Sequence, residues 1–234
     1  MNSLAPGIRL LIFDLDGTLI DSEQDLAVAV NATRADAGLP PITKAEVASM
    51  VGRGATELVR MAVPNQSTDP ARFRHSLEFF VHYYRKHSLE NTKLYPGTFD
   101  AIRALYARGF ILGVLTNKPV RISRDILAAL EVVEMFRFIY GARGPLPGPP
   151  HLEGTMSFEE KKPNPIGIVT MLKKTELQPK QALMVGDSSV DVITGRNAGV
   201  WTCGVTYGFQ AESFNAHPPD LLIDRLSALS AHLK

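Results

Sequence analysis

The stretch that most constrains this chain is Leu10 to Ser22, LLIFDLDGTLIDS. Ile8 to Phe13, interrupted only by Arg9, reads as a short strand buried on both faces, because a brief apolar run with a β-branched residue suits that environment. The run stops at Asp14. A second carboxylate follows at Asp16, then Gly17 and Thr18. Carboxylates ending a buried strand are poor packing material, since a charge taken out of water needs partners. They suit a ligand site at the carboxyl edge of an open α/β sheet.

The remaining sequence supplies such a sheet. Apolar runs at Phe110–Leu115, Phe136–Tyr140, Ala182–Val185, Val200–Val205 and Leu221–Ile223 predict further strands. Helical patterns at Thr98–Ala107, Pro119–Leu130 and Ser188–Ala198 alternate with them, and a terminal helix is expected after Ile223. Alternation of this kind predicts a parallel sheet covered on both faces. Right-handed crossovers then place every carboxyl end on one edge, which brings Asp14, Asp16, Thr116 and Asp187 to one rim.

Between Ser22 and Asn91 the pattern is helical only. Helices are expected at Glu23–Ala37, from the capping-box pair Thr43 and Glu46 to Met50, and at Thr56–Ala62. A long one opens at Asp69-Pro70, with Phe73, Leu77, Phe80, Val81 and Tyr84 on one face. The expected organisation is α/β: a layered core formed by residues 1–20 and 94–234, and an all-helical insertion at 21–93. Gly141 to Lys161 breaks the alternation. It holds GPLPGPP, and His151-Leu152 with Met156-Ser157-Phe158 reads as a small hairpin.

Net charge is +1, so bulk electrostatics favours neither nucleic acid nor an anionic membrane. Cys203 is the only cysteine, which excludes an intrachain disulfide and fits a reducing compartment. A signal peptide is not expected at the N-terminus. No apolar run approaches the roughly 20 residues of a membrane helix. The expectation is a cytoplasmic protein acting on a small molecule, with a homodimer left open.

The rim residues suit phosphoryl chemistry. A carboxylate at a strand end can attack phosphorus and form an aspartyl phosphate, the role open to Asp14. Its charge must not repel a phosphate dianion, and Mg²⁺ meets that need with carboxylate and water ligands. Asp187 is the natural second carboxylate ligand, and Lys162 offers further positive charge. Asp16 is placed to protonate the leaving alcohol and then deprotonate water. Thr116 and Asn117 are placed to hydrogen-bond phosphoryl oxygens. Taken singly, each residue has an ordinary role. Asp-x-Asp forms turns, Thr116-Asn117 and Asp187-Ser188 cap helices, and Lys161-Lys162 makes a solvated pair. Their joint order along the predicted elements is what points to a site.

Four motifs in that order resemble the haloacid dehalogenase superfamily of phosphatases. They are FDLDGTLIDS at Phe13–Ser22, LTNKP at Leu115–Pro119, KPNP at Lys162–Pro165 and VGDSSVD at Val185–Asp191. The resemblance implies a Rossmann-like three-layer core and a helical cap. It implies Asp14 as nucleophile, Asp16 as acid and base, and Thr116 and Lys162 on the phosphate. Mg²⁺ would be held by Asp14, the Asp16 carbonyl and Asp187, with Asp191 orienting metal waters or Lys162. Lys162 is preferred over Lys161 because it directly precedes Pro163. Within the superfamily the chain looks like phosphoglycolate phosphatases, through Tyr83–His87, Leu94–Gly97 and Gly204–Phe209. Arg53, between Gly52 and Gly54, is then the candidate clamp for a substrate carboxylate. A phosphomutase resembling β-phosphoglucomutase and an inorganic pyrophosphatase are the alternatives; Thr18 speaks against the mutase.

Overall fold

The computed structural model describes residues 7–144 and 154–233. At its centre lies β1 (Leu10–Phe13), hydrogen-bonded in parallel to β4 (Ile111–Pro119) on one side and β7 (Ala182–Gly186) on the other. Beyond β4 come β5 (Phe138–Ala142) and β6 (Thr155–Phe158); beyond β7 come β8 (Trp201–Val205) and β9 (Leu221–Ile223). All of these pairings are parallel.

Side chains of β1 alternate between two apolar layers, as the two-residue period of a strand requires. Leu10 and Ile12 join Phe138, Tyr140, Ile168 and Met171; Leu11 and Phe13 join Ile102, Leu105 and Ile126. The first layer is covered by α7 (Ile166–Thr175), the second by α5 (Thr98–Ala107) and α6 (Val120–Ala129). Burying each such side chain contributes about 1.5–3 kcal/mol. The result is the expected α/β, Rossmann-like arrangement of helix, parallel sheet and helix. After β7, α8 (Ser189–Asn197) leads into β8.

Several elements differ from the sequence expectation. Helix α7 was not anticipated, although Ile168, Met171 and Leu172 recur at helical spacing after Pro165. Thr155–Phe158 pair in parallel with Ile139–Ala142, a long-range pairing that was not expected. His151 and Leu152, like the rest of 145–153, lie outside the described residues. The expected terminal helix is present at Leu226–His232, as a 3-10 helix. Strand β4 runs on to Pro119 through a register irregularity between Leu115 and Pro119.

The chain leaves the sheet edge in a tight turn, where Gly17 N–H donates to the Ile20 carbonyl at 2.9 Å. It then enters an antiparallel ribbon of β2 (Ile20–Asp21) and β3 (Lys93–Leu94). Between the two ribbon strands lie α1 (Glu23–Asp36), α2 (Lys44–Met50), α3 (Ala55–Ala62) and α4 (Pro70–His87), and no strand. The capping box at α2 is formed: Thr43 Oγ1 accepts from Glu46 N at 3.2 Å, and Glu46 Oε2 accepts from Thr43 N at 2.7 Å. Phe80, Val81 and Tyr84 of α4 are buried, with Phe73 and Leu77 half-buried beside them.

One carboxylate ties the start of this segment to its end. Asp25, buried in the first turn of α1, accepts from Asn91 N and Nδ2 and from Thr92 N and Oγ1, all at 2.8–3.0 Å. Burial works to raise its carboxyl, but the hydrogen bonds from Asn91 and Thr92 together outweigh it and hold the group below its ordinary 3.8. A depressed folded-state value stabilises the fold above the unfolded value, and the gain is lost as pH falls through the folded one. Asp25→Ala should therefore cost about 3 kcal/mol at neutral pH by urea unfolding, because buried donors lose a charged acceptor. The gap to wild type should narrow as pH falls below the ordinary carboxylate range. A pH-independent gap would contradict the latch.

Candidate active site

Strand β1 is where the sheet changes direction of winding, with β4 to one side and β7 to the other. Ligands in open α/β folds bind at the carboxyl ends of strands around such a point. Asp14 follows β1, Asp187 follows β7, and Thr116, Asn117 and Lys118 belong to the end of β4. Register fails in β4 just there: Leu115 pairs with Tyr140 and Pro119 with Ala142, four residues of advance against two. Bulges of this kind re-aim side chains, and this one contains Thr116, Asn117 and Lys118.

On the β7 side, three buried carboxylates converge. Oxygen atoms of Asp14, Asp187 and Asp191 lie within 4.8 Å of one another. Lys162 Nζ sits among them, 2.8 Å from Asp14 Oδ1 and 2.6 Å from Asp191 Oδ1. Asp191 is also the N3 residue of the α8 capping box; its Oδ2 accepts from Ser188 N at 3.2 Å and Oγ at 2.8 Å. Asp187 Oδ2 accepts from Phe209 N at 2.7 Å. Burial pushes the Asp14 carboxyl up to about 7; Lys162 offsets this in part and Asp191 adds to it. Asp187 is held well above its ordinary value by burial and by the charges of Asp191 and Asp14. For Lys162, burial opposes the ammonium, yet Asp14 and Asp191 outweigh it and raise its pKa. Three carboxylates against one ammonium leave a negative excess in a dry place, and a divalent cation with oxygen preference fits that excess. Asp14 and Asp187 fit best as its ligands, because both oxygens of Asp191 already have partners.

On the other side, Asp16 Oδ1 accepts from Ser22 Oγ at 2.5 Å and from Lys118 Nζ at 2.7 Å. Lys118 Nζ also donates to the hydroxyl of Tyr84 at 2.6 Å. A cavity with about 530 Å³ of empty space, its mouth included, opens beside these groups. Asp14, Asp16, Thr116 and Lys118 form its floor; Leu26, Val51, Gly52, Leu58, Phe80 and Tyr84 of the helical segment line it from above.

A family model described as haloacid dehalogenase-like hydrolase matches residues 11–205. The chain belongs to that family. Proteins named phosphoglycolate phosphatase are similar to it. One from Vibrio vulnificus is 35% identical over 95% of this chain and 94% of its own length. Another, from Pseudomonas putida, is 37% identical over 97% of this chain and 80% of its own length. A solved structure from Haemophilus somnus, described as a predicted phosphoglycolate phosphatase, aligns with a TM-score of 0.83 at 31% identity, over 96% of this chain and 97% of that one.

Of the residues singled out in the sequence, Asp14, Asp187, Asp191 and Lys162 form one cluster, with Asp16 and Thr116 beside it. Lys162, not the half-buried Lys161, is the lysine at Asp14. Asn117 lines the cavity beside Thr116, and its side chain is engaged with backbone. Its Oδ1 accepts from Lys162 N at 2.7 Å, and its Nδ2 donates to the carbonyls of Gly52 at 2.8 Å and Lys162 at 3.1 Å. That side chain is committed to aligning backbone. Arg53 is exposed and does not line the cavity, although Gly52 and Gly54 on either side of it do. Lys118 was noted in the sequence only as part of a motif. The available signal was a lysine at the polar end of an otherwise buried strand of this hydrolase fold.

Gly17 shows how tightly the two edges meet. Its φ of 81° is in the left-handed region, and a Cβ there would lie 2.2 Å from Asp187 Oδ2. Gly17→Ala should lower stability by about 1–3 kcal/mol in urea unfolding, through overpacking and backbone strain. Unchanged stability would contradict the close approach of β1 and β7 ends.

Proposed function

We propose that this hydrolase is a Mg²⁺-dependent phosphomonoesterase that works through an aspartyl phosphate on Asp14. The observation that carries the reading is a shared geometry. Asp14 and Asp16 each have Oδ1 tied to a buried lysine, Lys162 and Lys118, while neither Oδ2 has a protein partner among the described residues. Both residues line the same cavity.

In this reading Asp14 Oδ2 attacks phosphorus, and the bond from phosphorus to the ester oxygen breaks. Asp16 gives its proton to that oxygen, so the alcohol leaves neutral. Asp16 then takes a proton from water as the water oxygen attacks phosphorus. The bond from phosphorus to Asp14 breaks, releasing inorganic phosphate and restoring both carboxyl groups. Thr116 Oγ1 and Lys162 hold the phosphoryl oxygens. Mg²⁺, when bound by Asp14, Asp187 and the Asp16 carbonyl, supplies charge neutralisation for nucleophile and phosphate. Asp191 keeps Lys162 directed at Asp14. The helices between residues 21 and 93 act as a cap that excludes water from the floor of the site.

Relatives named phosphoglycolate phosphatase support 2-phosphoglycolate, or a phosphoester of similar size, as the substrate. A hydrolysis screen over 2-phosphoglycolate, pyrophosphate, sugar phosphates and nucleoside monophosphates identifies it. An isomerised sugar phosphate without free phosphate would instead favour a mutase. Arg53→Ala, compared on the best ester and on an aryl phosphate, tests selection by that loop; equal loss on both would remove it from substrate choice.

Asp14→Asn should lower hydrolysis by about 10⁴-fold or more. The Asp14 carboxyl is raised to about 7 from 3.8. Its ionisation therefore costs folding stability as pH rises between those values. Metal-free Asp14→Asn should accordingly melt no lower than metal-free wild type at pH 8. Substantial residual turnover would sink the nucleophile assignment. Activity should vanish after EDTA treatment and desalting and return with Mg²⁺; full activity in EDTA would exclude the metal role.

A further inference from the structure

We infer that Lys118 and Tyr84 form a positioning clamp on Asp16, and that Tyr84 makes proton transfer by Asp16 depend on the helical segment being seated on the sheet. The inference rests on the reading of Asp16 as the acid and base, and goes beyond it by assigning two residues that this reading leaves without a role.

Lys118 is an expensive residue to keep where it is. Its side chain is only 4% exposed, and a buried ammonium destabilises a fold unless it is paired and hydrogen-bonded. Here it has two partners from different parts of the chain: Asp16 Oδ1 at 2.7 Å, from the turn after β1, and Tyr84 Oη at 2.6 Å, from α4. Burial opposes the ammonium, but Asp16 and Tyr84 hold Lys118 firmly protonated. Ser22, the residue preceding α1, donates to the same Oδ1 at 2.5 Å. One carboxylate oxygen is thus fixed from two directions. That sets the carboxyl plane and leaves Oδ2 to work on the leaving group. Alignment of this kind matters because ångström-scale misplacement of a catalytic group lowers rate steeply.

Tyr84 is the less obvious half. It is 2% exposed and stacks on Phe80 at 5.7 Å within α4, so its ring belongs to the apolar interior of the helical segment. A phenylalanine would serve that packing equally. The hydroxyl has Lys118 as its hydrogen-bond partner, and a buried tyrosine hydroxyl needs one. Lys118 is therefore held by the sheet through Asp16 and by α4 through Tyr84. If α4 moves off the sheet, Lys118 loses its second partner and Asp16 loses its alignment. Acid catalysis then becomes available only with the cavity covered.

A purely structural role and a positioning role separate by leaving group. Nitrophenolate departs without a proton, whereas an alkoxide needs one, so loss of a general acid falls on alkyl esters. The experiment measures kcat/KM for p-nitrophenyl phosphate and for an alkyl phosphate that wild type hydrolyses. The variants are Asp16→Asn, Lys118→Met, Lys118→Arg, Tyr84→Phe and the Lys118→Met/Tyr84→Phe pair, with folding checked by circular dichroism melting. Asp16→Asn should lose about 10²-fold more on the alkyl ester than on the aryl ester, the usual scale of acid–base catalysis. Lys118→Met should shift the ratio in the same direction by about 10-fold or more, and Tyr84→Phe by about 3-fold or more, smaller fractions of that effect. Lys118→Arg should recover part of the ratio, and the double variant should match Lys118→Met, because Tyr84 acts through Lys118.

Should Lys118→Met fail to fold, Tyr84→Phe carries the test, since it removes one oxygen from a packed ring. A selective Asp16→Asn with equal losses on both esters, or none, for Lys118→Met and Tyr84→Phe would overturn the clamp and leave the phosphatase reading intact. An Asp16→Asn without leaving-group selectivity would instead overturn the acid–base assignment, and the clamp with it.

Discussion

Lys162 occupies the point on which the rest of this structure depends. Its ammonium lies between Asp14 and Asp191, with Asp187 completing the carboxylate cluster. Two like charges about 4 Å apart repel by about 4 kcal/mol even at an effective dielectric constant of about 20. Burial, with this repulsion added to it, keeps protons on both Asp14 and Asp187 to unusually high pH, and one lysine offsets it only in part. A fold tolerates such a cluster only where other contacts over-determine it. Here the frame is β1 between β4 and β7, each strand buried on both faces. Gly17 and Gly186 let the carboxylates approach backbone that any side chain would block. The same excess of negative charge that makes the cluster unfavourable is what a divalent cation would relieve, and that cation would in turn offset the charge of a phosphate group.

The helical segment is joined to that frame by contacts that are directional as well as apolar. Asp25 holds its two ends together at the base. The Asn117 amide bridges the Gly52 carbonyl and the Lys162 backbone, and Gln210 Nε2 donates to the Val51 carbonyl at 2.6 Å. Tyr84 reaches Lys118 from above. Three of these contacts involve the loop around Gly52 or the cavity wall, so the position of the helices and the geometry of the floor are coupled. The phosphoryl transfer proposed above would gain from such coupling, because a covered floor keeps bulk water out.

Much of this was legible in the chain. Apolar runs that stop at Asp14, Thr116 and Asp187 carry both the strand and the polar edge, and alternation with helices places those edges together. The helical stretch between Ser22 and Asn91 was equally plain from spacing and from the Thr43–Glu46 box. What escaped was set by tertiary context. The backbone partners of the Asn117 side chain, at Gly52 and Lys162, are far away in sequence. Lys118 looked like motif filler because the tyrosine that holds it lies on α4. Residues Thr155–Phe158 became an edge strand because β5 offered an unpaired edge, which no local pattern announces. Arg53 was drawn to the cavity by its glycines, yet only the glycines reach it.

In the proposed reaction Asp14 carries the phosphoryl group during turnover. The most direct test is acid quenching during turnover of the best substrate, followed by borohydride reduction and peptide mass spectrometry. An acyl phosphate at Asp14 is reduced to homoserine, so homoserine is expected at position 14 and at no other aspartate, and none without substrate. Active turnover with no modified Asp14, or with the modification on Asp16 or Asp187, would contradict it.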